Sequence, residues 1–250
     1  MRNSNYLSFN SISELLRELD NAPKISGRLD CSEDTDRGSD WCDTKSYQEA
    51  RDFMQYGKVF DGIETNLNKY KTNGCAEKNK MFLDVVGYQP VVPLAIQCIP
   101  ESMINKRKTI NNKIINIIYE CSAPHYVKSE EIMRTTTELM KNIIKLEKDG
   151  YRVNLYIGEY NDNDRGYGFL VRLKTDGEML NIKKLCFPLV STSFLRRIGF
   201  RIKERLFKDW IGGGYGHAVL NETEMKKFVQ NTLRLKHYEC WTYEGKKFSV

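Results

Sequence analysis

Residues that can do chemistry follow the end of an apolar stretch, in the segment YECSAPH. Glu120 and Ser122 carry the carboxylate and hydroxyl oxygens that Mg²⁺ prefers as ligands. A strand end beside a helix N-terminus is also where open α/β sheets hold ligands and anions. The alternative is that Glu120 solvates the strand end and that Ser122 only makes a turn. Because the sequence identifies no third oxygen ligand, it favours the alternative. We expect no cofactor, and Mg²⁺ is the ion that this segment would otherwise bind.

The same segment places a thiol close to an imidazole. Cys121 and His125 are residue types that form a nucleophile and its base, but such a pair also needs an orienting carboxylate. Glu120 is the one carboxylate nearby in the sequence. We therefore interpret Cys121 as a buried thiol and keep His125 as a candidate binding residue, together with Glu120 and Ser122.

Two further motifs have a composition typical of metal or phosphate sites. His237 and Cys240 have a metal-like spacing, but no second pair supplies the further ligands that zinc requires, so we interpret them as packing residues. The glycine-rich run GGGYGH, residues 212–217, lacks the Lys-Ser or Lys-Thr of a phosphate loop. We expect its glycines to allow a close approach of the backbone, and His217 is a further candidate binding residue.

A basic helix is predicted over residues 193–208. Its apolar positions fall on one face, and Arg197, Arg201, Arg205 and Lys208 form a stripe on another. Such a stripe could bind an acidic protein surface or the phosphates of a nucleic acid. The alternative is a solvated face with some internal ion pairs. On the binding hypothesis, reversing the charge of the three arginines abolishes partner binding and leaves the fold intact.

The second half of the chain has the clearest structural patterns. An apolar strand over 113–120 is followed by a helical pattern over 127–148, and apolar residues then alternate over 151–157. A long helix between two strands predicts a right-handed parallel crossover. The next strand, over 167–173, returns through a short turn and is predicted to be an antiparallel edge strand.

The first half is predicted to be rich in helices. Ser11 with Glu14, and Ser46 with Glu49, have the capping-box spacing that predicts a helix start. The acidic stretch over 27–43 between them is predicted to be a loop.

A proline-rich segment separates the two halves. Pro90, Pro93 and Pro100 predict an extended crossing without regular structure. We place a boundary behind it, which divides the chain into an N-terminal helix-rich region, 1–105, and an α/β region, 106–250. The alternative is that the two regions form one compact unit.

Composition limits the class of protein. The chain has 250 residues, of which 40% are hydrophobic, so it can bury a substantial core. Neither a membrane span nor the apolar core of a signal peptide is evident, so we expect a protein of the cytoplasm that does not enter a membrane. The 7 cysteines are scattered, which is typical of reduced thiols. A net charge of +6 permits an acidic partner without requiring one.

The second half resembles the first half of a von Willebrand factor A-like domain. The order strand, long helix, strand, antiparallel strand, helix is similar, and in that family the first strand ends in an Asp-x-Ser-x-Ser motif that helps to hold a divalent cation. The matching positions here are Glu120-Cys-Ser122-Ala-Pro124, with Glu for the acidic residue and proline for the second serine. The resemblance implies an α/β fold, with the helix-rich region packed on a Rossmann-like, von Willebrand A-like mixed sheet.

The chain is also similar to an uncharacterised family of phage and prophage proteins. The resembling segments are 41–50 with Gly57, 84–87, 93–103, 193–197 and 214–217. The resemblance implies a viral protein that works in the cytoplasm of a bacterial host.

These patterns lead to one functional hypothesis and two alternatives. We expect a phage-encoded, non-catalytic interaction protein that binds a host or phage macromolecule, in anti-defence or host take-over, with nucleic acid an option through the basic helix. The first alternative is a metal-dependent enzyme acting on nucleic acid or a nucleotide, in which Glu120 and Ser122 converge with Asp84 or Asp162. The second is a virion assembly component.

Overall fold

The computed structural model describes residues 5–28, 30–33, 39–60, 63, 78–109, 113–124, 126–161, 166–210, 222–245 and 247–249. In the first half of the chain the elements are β1 (Tyr6–Phe9), α1 (Ile12–Asn21), α2 (Ser39–Cys42), α3 (Tyr47–Tyr56), β2 (Lys78–Asp84), β3 (Gln89–Pro90), α4 (Val92–Ile96) and β4 (Met103–Thr109). In the second half they are β5 (Ile114–Glu120), α5 (Ser129–Lys148), β6 (Arg152–Asn161), β7 (Tyr167–Lys174), α6 (Ile182–Val190), a π-helical segment (Phe194–Gly199), α7 (Phe200–Leu206), α8 (Glu222–Leu233), β8 (Glu239–Thr242) and β9 (Lys247–Ser249).

The main sheet has the strand order β1-β7-β6-β5-β8-β9. β5 runs parallel to both β6 and β8, and α5 connects β5 to β6. β6 and β7 form an antiparallel pair. The α/β class and the mixed sheet that the sequence predicts are therefore confirmed.

The antiparallel strand β7 has a neighbour on its outer side. The prediction that this strand lies at the edge of the sheet is wrong, because β1 pairs with it in parallel, with Tyr6 opposite Gly168 and Phe9 opposite Val171. β1 was not predicted, because a strand of four residues offers too few positions to show a period of two. Its pairing joins the N-terminal region to the sheet of the second half.

Helices cover both faces of the main sheet. On one face, Ile117 and Ile157 are buried against α1, α3, α5, α6 and α7. On the other face, Ile118 and Tyr156 are buried against α8. Because both faces are covered, β5 is apolar at consecutive positions and does not alternate.

The two predicted capping boxes start α1 and α3. Ser11 Oγ accepts a hydrogen bond from the Glu14 N–H at 3.0 Å, and Ser46 Oγ accepts one from the Glu49 N–H at 3.2 Å. Gly57 ends α3 with φ of 79°, a conformation that glycine adopts without strain.

Residues 78–109 form a separate antiparallel sheet with the order β2-β4-β3, together with α4; we call this unit the small sheet. The predicted extended crossing is corrected here, because Pro93 lies in the first turn of α4, where its missing N–H costs no hydrogen bond. The predicted boundary between residues 105 and 106 falls inside β4, which pairs with β2 along its whole length. A domain boundary at that place would cut the small sheet in two.

The longest helix described is α5, with 20 residues and a charged outer face. In the part of the chain that the structure describes, no helix is both long enough and apolar enough to cross a membrane.

Candidate functional site

β5 ends at Glu120, in the middle of the main sheet. Glu120 lies opposite Gly158 of β6 and Thr242 of β8. It is only 2% exposed, and Ser122 is fully buried. The N–H of Ser122 donates a hydrogen bond to Glu120 Oε1 at 3.1 Å. These two predicted candidates do lie together, but inside the protein and not in an open cleft.

The environment of Glu120 favours its neutral form. Burial raises the pKa of this carboxyl to about 8, hydrogen bonding with Ser122 opposes the rise, and the charge of Glu159 adds to it. At neutral pH Glu120 is therefore mostly the protonated acid. A neutral carboxyl is a poor ligand for a hard cation.

A buried ion pair lies beside Glu120 and was missed by the sequence analysis. Lys203 of α7 contacts Glu159 of β6, with 2.5 Å between Nζ and Oε1, and the two side chains are 4% and 1% exposed. The two residues are 44 positions apart, so no local pattern could have indicated their contact. The pair compensates the charge of Glu159 through Oε1, while Oε2 of the same carboxylate is buried without a hydrogen-bond partner among the described residues.

The residues at this end of the sheet do not suit Mg²⁺. Within the described ranges, no three His, Cys, Asp or Glu side chains are placed to share an ion. Glu120 is neutral, Glu159 is paired with Lys203, and Pro124 has no side-chain oxygen. Mg²⁺ needs several oxygen ligands in octahedral arrangement. The expectation that the chain needs no cofactor stays a prediction.

Asp84, which the enzyme hypothesis combines with Glu120, makes its hydrogen bonds within the small sheet. Asp84 belongs to the small sheet, where it accepts hydrogen bonds from the Val85 N–H at 2.8 Å and from Asn105 Nδ2 at 3.4 Å. Burial raises the pKa of the Cys121 thiol well above its usual value, so a thiolate nucleophile is disfavoured.

Three candidate residues lie outside the described residues, as does the glycine-rich run 212–217; they are Asp162, His125 and His217.

Cys240 is fully buried on β8, opposite Ile118 of β5. The carbonyl of His237 accepts a hydrogen bond from Asn116 at 3.1 Å. Cys240 is therefore a packing residue, as its sequence context predicted.

The three arginines of the predicted basic stripe are buried or half-buried and only Lys208 is exposed, which corrects the interpretation of the stripe as an exposed face. Arg197 has no exposed surface and is the largest fully buried side chain among the described residues. Its guanidinium donates to the carbonyls of Ser32, Thr44 and Lys45 at 3.0, 3.3 and 3.5 Å. The backbone of the N-terminal region thus occupies the position that a partner was predicted to take.

The next two arginines of the stripe are paired with acidic residues of the predicted loop. Arg201 donates to Glu33 at 2.8 Å and lies over the ring of Tyr47, 4.3 Å from its centroid. Arg205 donates to Asp30 at 3.1 Å. Although burial opposes the effect, Lys24 and Arg205 hold the pKa of Asp30 below its ordinary value. Neither arginine is presented to an external anion.

Further contacts hold the same acidic segment on α7. Arg28 donates to the carbonyls of Glu204 and Phe207 at the C-terminal end of the helix, where a cation also complements the helix dipole. The carboxylate of Glu204 accepts hydrogen bonds from the N–H and hydroxyl of Ser32. Asp30 and Glu33, from the segment predicted as an acidic loop, therefore supply counter-charges for the basic helix.

Asp43 is a second anchor that the sequence analysis treated only as part of the loop. Its carboxylate accepts hydrogen bonds from the Thr192 N–H at 2.8 Å, the Thr192 hydroxyl at 2.8 Å and the Ser129 hydroxyl at 2.8 Å. It therefore links α2, the start of α5 and the turn after α6. Its φ of 57° is one that Asp tolerates better than most residues.

Exposed apolar side chains are concentrated on the small sheet. None of the residues from 81 to 105 is buried. Of the 12 large hydrophobic residues that are exposed within the described ranges, 8 belong to this unit: Met81, Leu83, Val85, Val86, Tyr88, Val92, Ile96 and Ile99. Met81 and Leu83 point to the same face of β2, because side chains alternate along a strand. The small sheet thus has apolar residues without a core of its own.

Basic residues occupy the other end of the small sheet. In the pairing of β2 with β4, Lys80 is opposite Arg107, Met81 is opposite Lys106 and Asn79 is opposite Lys108. Residues 78–109 contain 5 basic and 2 acidic residues, a net charge of +3. Half of the formal charge of the chain, +6, is therefore carried by this short unit.

Comparison with known proteins gives one match. Residues 3–242 match the family model described as a domain of unknown function, DUF7192. No curated protein and no solved structure matches the chain. Because the match extends over almost all of the 250 residues, the chain belongs to the DUF7192 family.

Proposed function

We propose that this chain is a non-catalytic interaction protein that binds a partner protein through its small sheet. The observation that carries the proposal is the exposure of apolar side chains in a unit that buries none of residues 81–105. Val86 is 73% and Ile96 is 76% exposed. Exposed apolar surface of this kind marks interaction sites in soluble proteins.

The small sheet has a physical reason to need a partner. A short antiparallel sheet is stable in water only when one face packs on a hydrophobic layer. Apolar area that is removed from water contributes about 25 cal/mol per Å². Met81, Leu83 and Val85 remain 62%, 47% and 58% exposed, so they obtain only part of this stabilisation within the chain. A partner that covers them would supply it.

The chemistry of the unit favours a protein surface that is apolar at its centre and acidic at one side. The exposed residues are mainly aliphatic, as in the core of a protein–protein interface. Interfaces with single-stranded nucleic acid depend on aromatic stacking and cationic grooves, and Tyr88 is the one aromatic residue among the eight exposed residues. The net charge of +3 over residues 78–109 favours an acidic partner and disfavours pairing with the same unit of a second copy.

The resemblance to phage and prophage proteins supports the bacterial cytoplasm as the compartment in which this interaction takes place. On that basis the partner is a host or phage protein in the bacterial cytoplasm, and binding would serve anti-defence or host take-over. The closed environment of Glu120 and Ser122 gives no support to a role in catalysis.

The proposal predicts that two charges on the small sheet abolish capture of the partner. In an affinity purification from infected host cells, we expect Val86→Asp with Ile96→Asp to lose the captured protein while melting at the temperature of the unmodified chain. Both positions are highly exposed, so the substitutions bury no charge. The matched control is Met179→Asp, at an 84% exposed position outside the small sheet, which retains the partner.

Three outcomes would contradict the proposal. Capture that persists in the double variant would remove the small sheet from the interface. Capture that disappears after nuclease treatment would indicate a nucleic acid as the partner. Symmetric self-association of the purified chain that the double variant abolishes would favour a virion assembly component.

A further inference from the structure

A groove lies on the outer side of α5, between this helix and β8. It has a volume of about 430 Å³ and is lined by Glu138, Lys141, Asn142, Ile144, Lys145, Lys148 and Trp241. The volume is within the range of sites that bind small molecules. The groove forms because β8 and β9 extend the main sheet beyond β5, so that Trp241 stands beside the helix.

The groove combines a flat aromatic ring with an excess of positive charge. Lys141 is paired with Glu138 at 2.6 Å, so these two charges compensate each other. Neither Lys145 nor Lys148 forms a salt bridge with any residue that the structure describes. Two ammonium groups on successive turns of α5 are therefore available to an anion.

A further lysine, which does not line the groove, contacts the indole of Trp241. Lys247 lies over the ring of Trp241, 5.1 Å from its centroid, and pairs with Glu239 at 2.9 Å. The groove lining therefore has one aromatic ring, one compensated lysine and two uncompensated lysines. An apolar ligand would form no ion pair with Lys145 or Lys148. Inorganic phosphate would form no stacking contact with the indole of Trp241.

Asn142 adds a polar group to the same lining. Its amide nitrogen Nδ2 is buried and has no hydrogen-bond partner among the described residues. A buried donor without a partner costs free energy, so native structures rarely leave one. Rotation about χ2 would turn this amide toward a ligand in the groove, where it could bind a carbonyl or ring nitrogen.

We infer that the groove binds a nucleoside phosphate. The base would stack on the indole of Trp241, the amide of Asn142 would bind the edge of the base, and Lys145 with Lys148 would bind the phosphate. Stacking on an aromatic ring is tolerant of base identity, and lysine is an effective phosphate ligand. The phosphate source is either a free nucleotide or one residue of a single-stranded nucleic acid.

Calorimetric titration of the full chain tests this inference. We expect adenosine 5′-monophosphate to bind with a dissociation constant below about 1 mM, and adenosine or inorganic phosphate to bind at least tenfold more weakly. Lys145→Glu with Lys148→Glu should weaken nucleotide binding at least tenfold, and Trp241→Ala at least fivefold. The matched control is Lys183→Glu with Lys184→Glu, the same change of charge at two exposed lysines of α6, which leaves binding unchanged.

A six-nucleotide oligoadenylate distinguishes the two sources. Binding at least tenfold tighter than that of the mononucleotide, with the same sensitivity to the variants, assigns the groove to single strands; equal affinity assigns it to the free nucleotide. Absence of nucleotide binding overturns the inference. Binding that inorganic phosphate equals, or that the groove variants leave unchanged, overturns it as well. Because Trp241→Ala could disturb packing, the charge-reversed variant, altered only on the helix surface, decides the result.

Discussion

Arg197→Met is expected to lower the free energy of unfolding by about 4 kcal/mol. Arg197 is fully buried, and its guanidinium satisfies the carbonyls of Ser32, Thr44 and Lys45. Methionine fills a similar volume but donates nothing, so these carbonyls lose a charged donor. A buried acceptor without a partner costs about 1–3 kcal/mol. Denaturant unfolding followed by circular dichroism measures the loss.

The matched control is Arg201→Met, one turn further along the helix. Arg201 is 16% exposed and bonds to the carboxylate of Glu33, which is itself 45% exposed and can be solvated when the arginine is removed. We expect that variant to cost less than about half as much. Equal losses at the two positions would contradict the buried role of Arg197.

The burial of Arg197 contradicts the expectation that reversing the charge of the three arginines leaves the fold intact. Glutamate at positions 197, 201 and 205 together should unfold the chain, because a buried carboxylate at 197 would face carbonyl oxygens. A triple variant that remains folded and loses only partner binding would support the interpretation of the stripe as an exposed binding face.

Glu120→Gln is expected to make the protein more stable at high pH and to leave its stability nearly unchanged below pH 5. Burial raises the pKa of Glu120 from 4.5 to about 8, so the folded protein holds a proton that the unfolded chain has already released. At about 1.4 kcal/mol for each pKa unit, ionisation of this carboxyl costs the folded state about 5 kcal/mol. Glutamine keeps the oxygen that accepts from the Ser122 N–H and carries no charge.

The sign of the pH dependence follows from proton binding. Between pH 4.5 and about 8 the folded state binds the proton and the unfolded state does not, so the stability of the unmodified protein falls as pH rises. Above about pH 8 both states are ionised, and the difference between the two proteins stays constant. Unfolding curves from pH 4 to 9 for both proteins test this. The control Glu138→Gln, at a side chain that is 61% exposed, should show no such divergence. Parallel curves for Glu120→Gln and the unmodified protein would show that Glu120 is ionised in the folded state.

Local signals in the sequence predicted the parts of the fold that depend on neighbouring residues. The capping boxes at Ser11 and Ser46 and the strand–helix–strand pattern around α5 need only short spacings, and they are present in the structure. β1, β8 and β9 have three or four residues each and acquire their structure from pairing with longer strands, so their period is not visible in the sequence.

The position of charged side chains depended on contacts that are distant in the sequence. The apolar face of α7 was visible from its spacing, but spacing cannot tell whether the other face meets water or a second segment. Arg205 and Asp30 are 175 residues apart, and Lys203 and Glu159 are 44 apart. For the same reason Glu120 and Ser122 were placed correctly at a strand end, whereas their burial and the raised pKa of Glu120 were not foreseen.

In the small sheet, the exposure of apolar side chains could not be predicted from the sequence. Its valines, isoleucines and leucines have the composition of a core, and a sequence pattern cannot distinguish a buried β-strand from one that exposes its apolar face. The exposure of Val86 and Ile96 becomes evident only from the three-dimensional structure. This exposure is the central support for an interaction function.

Hydrogen–deuterium exchange of the purified chain, alone and with the purified partner, tests that function most directly. The account predicts that the partner slows exchange in peptides from residues 81–99 and 103–105, and that exchange in α5 and β6 is unchanged. Slowed exchange confined to the main sheet or to α7, with the small sheet unaffected, would contradict it.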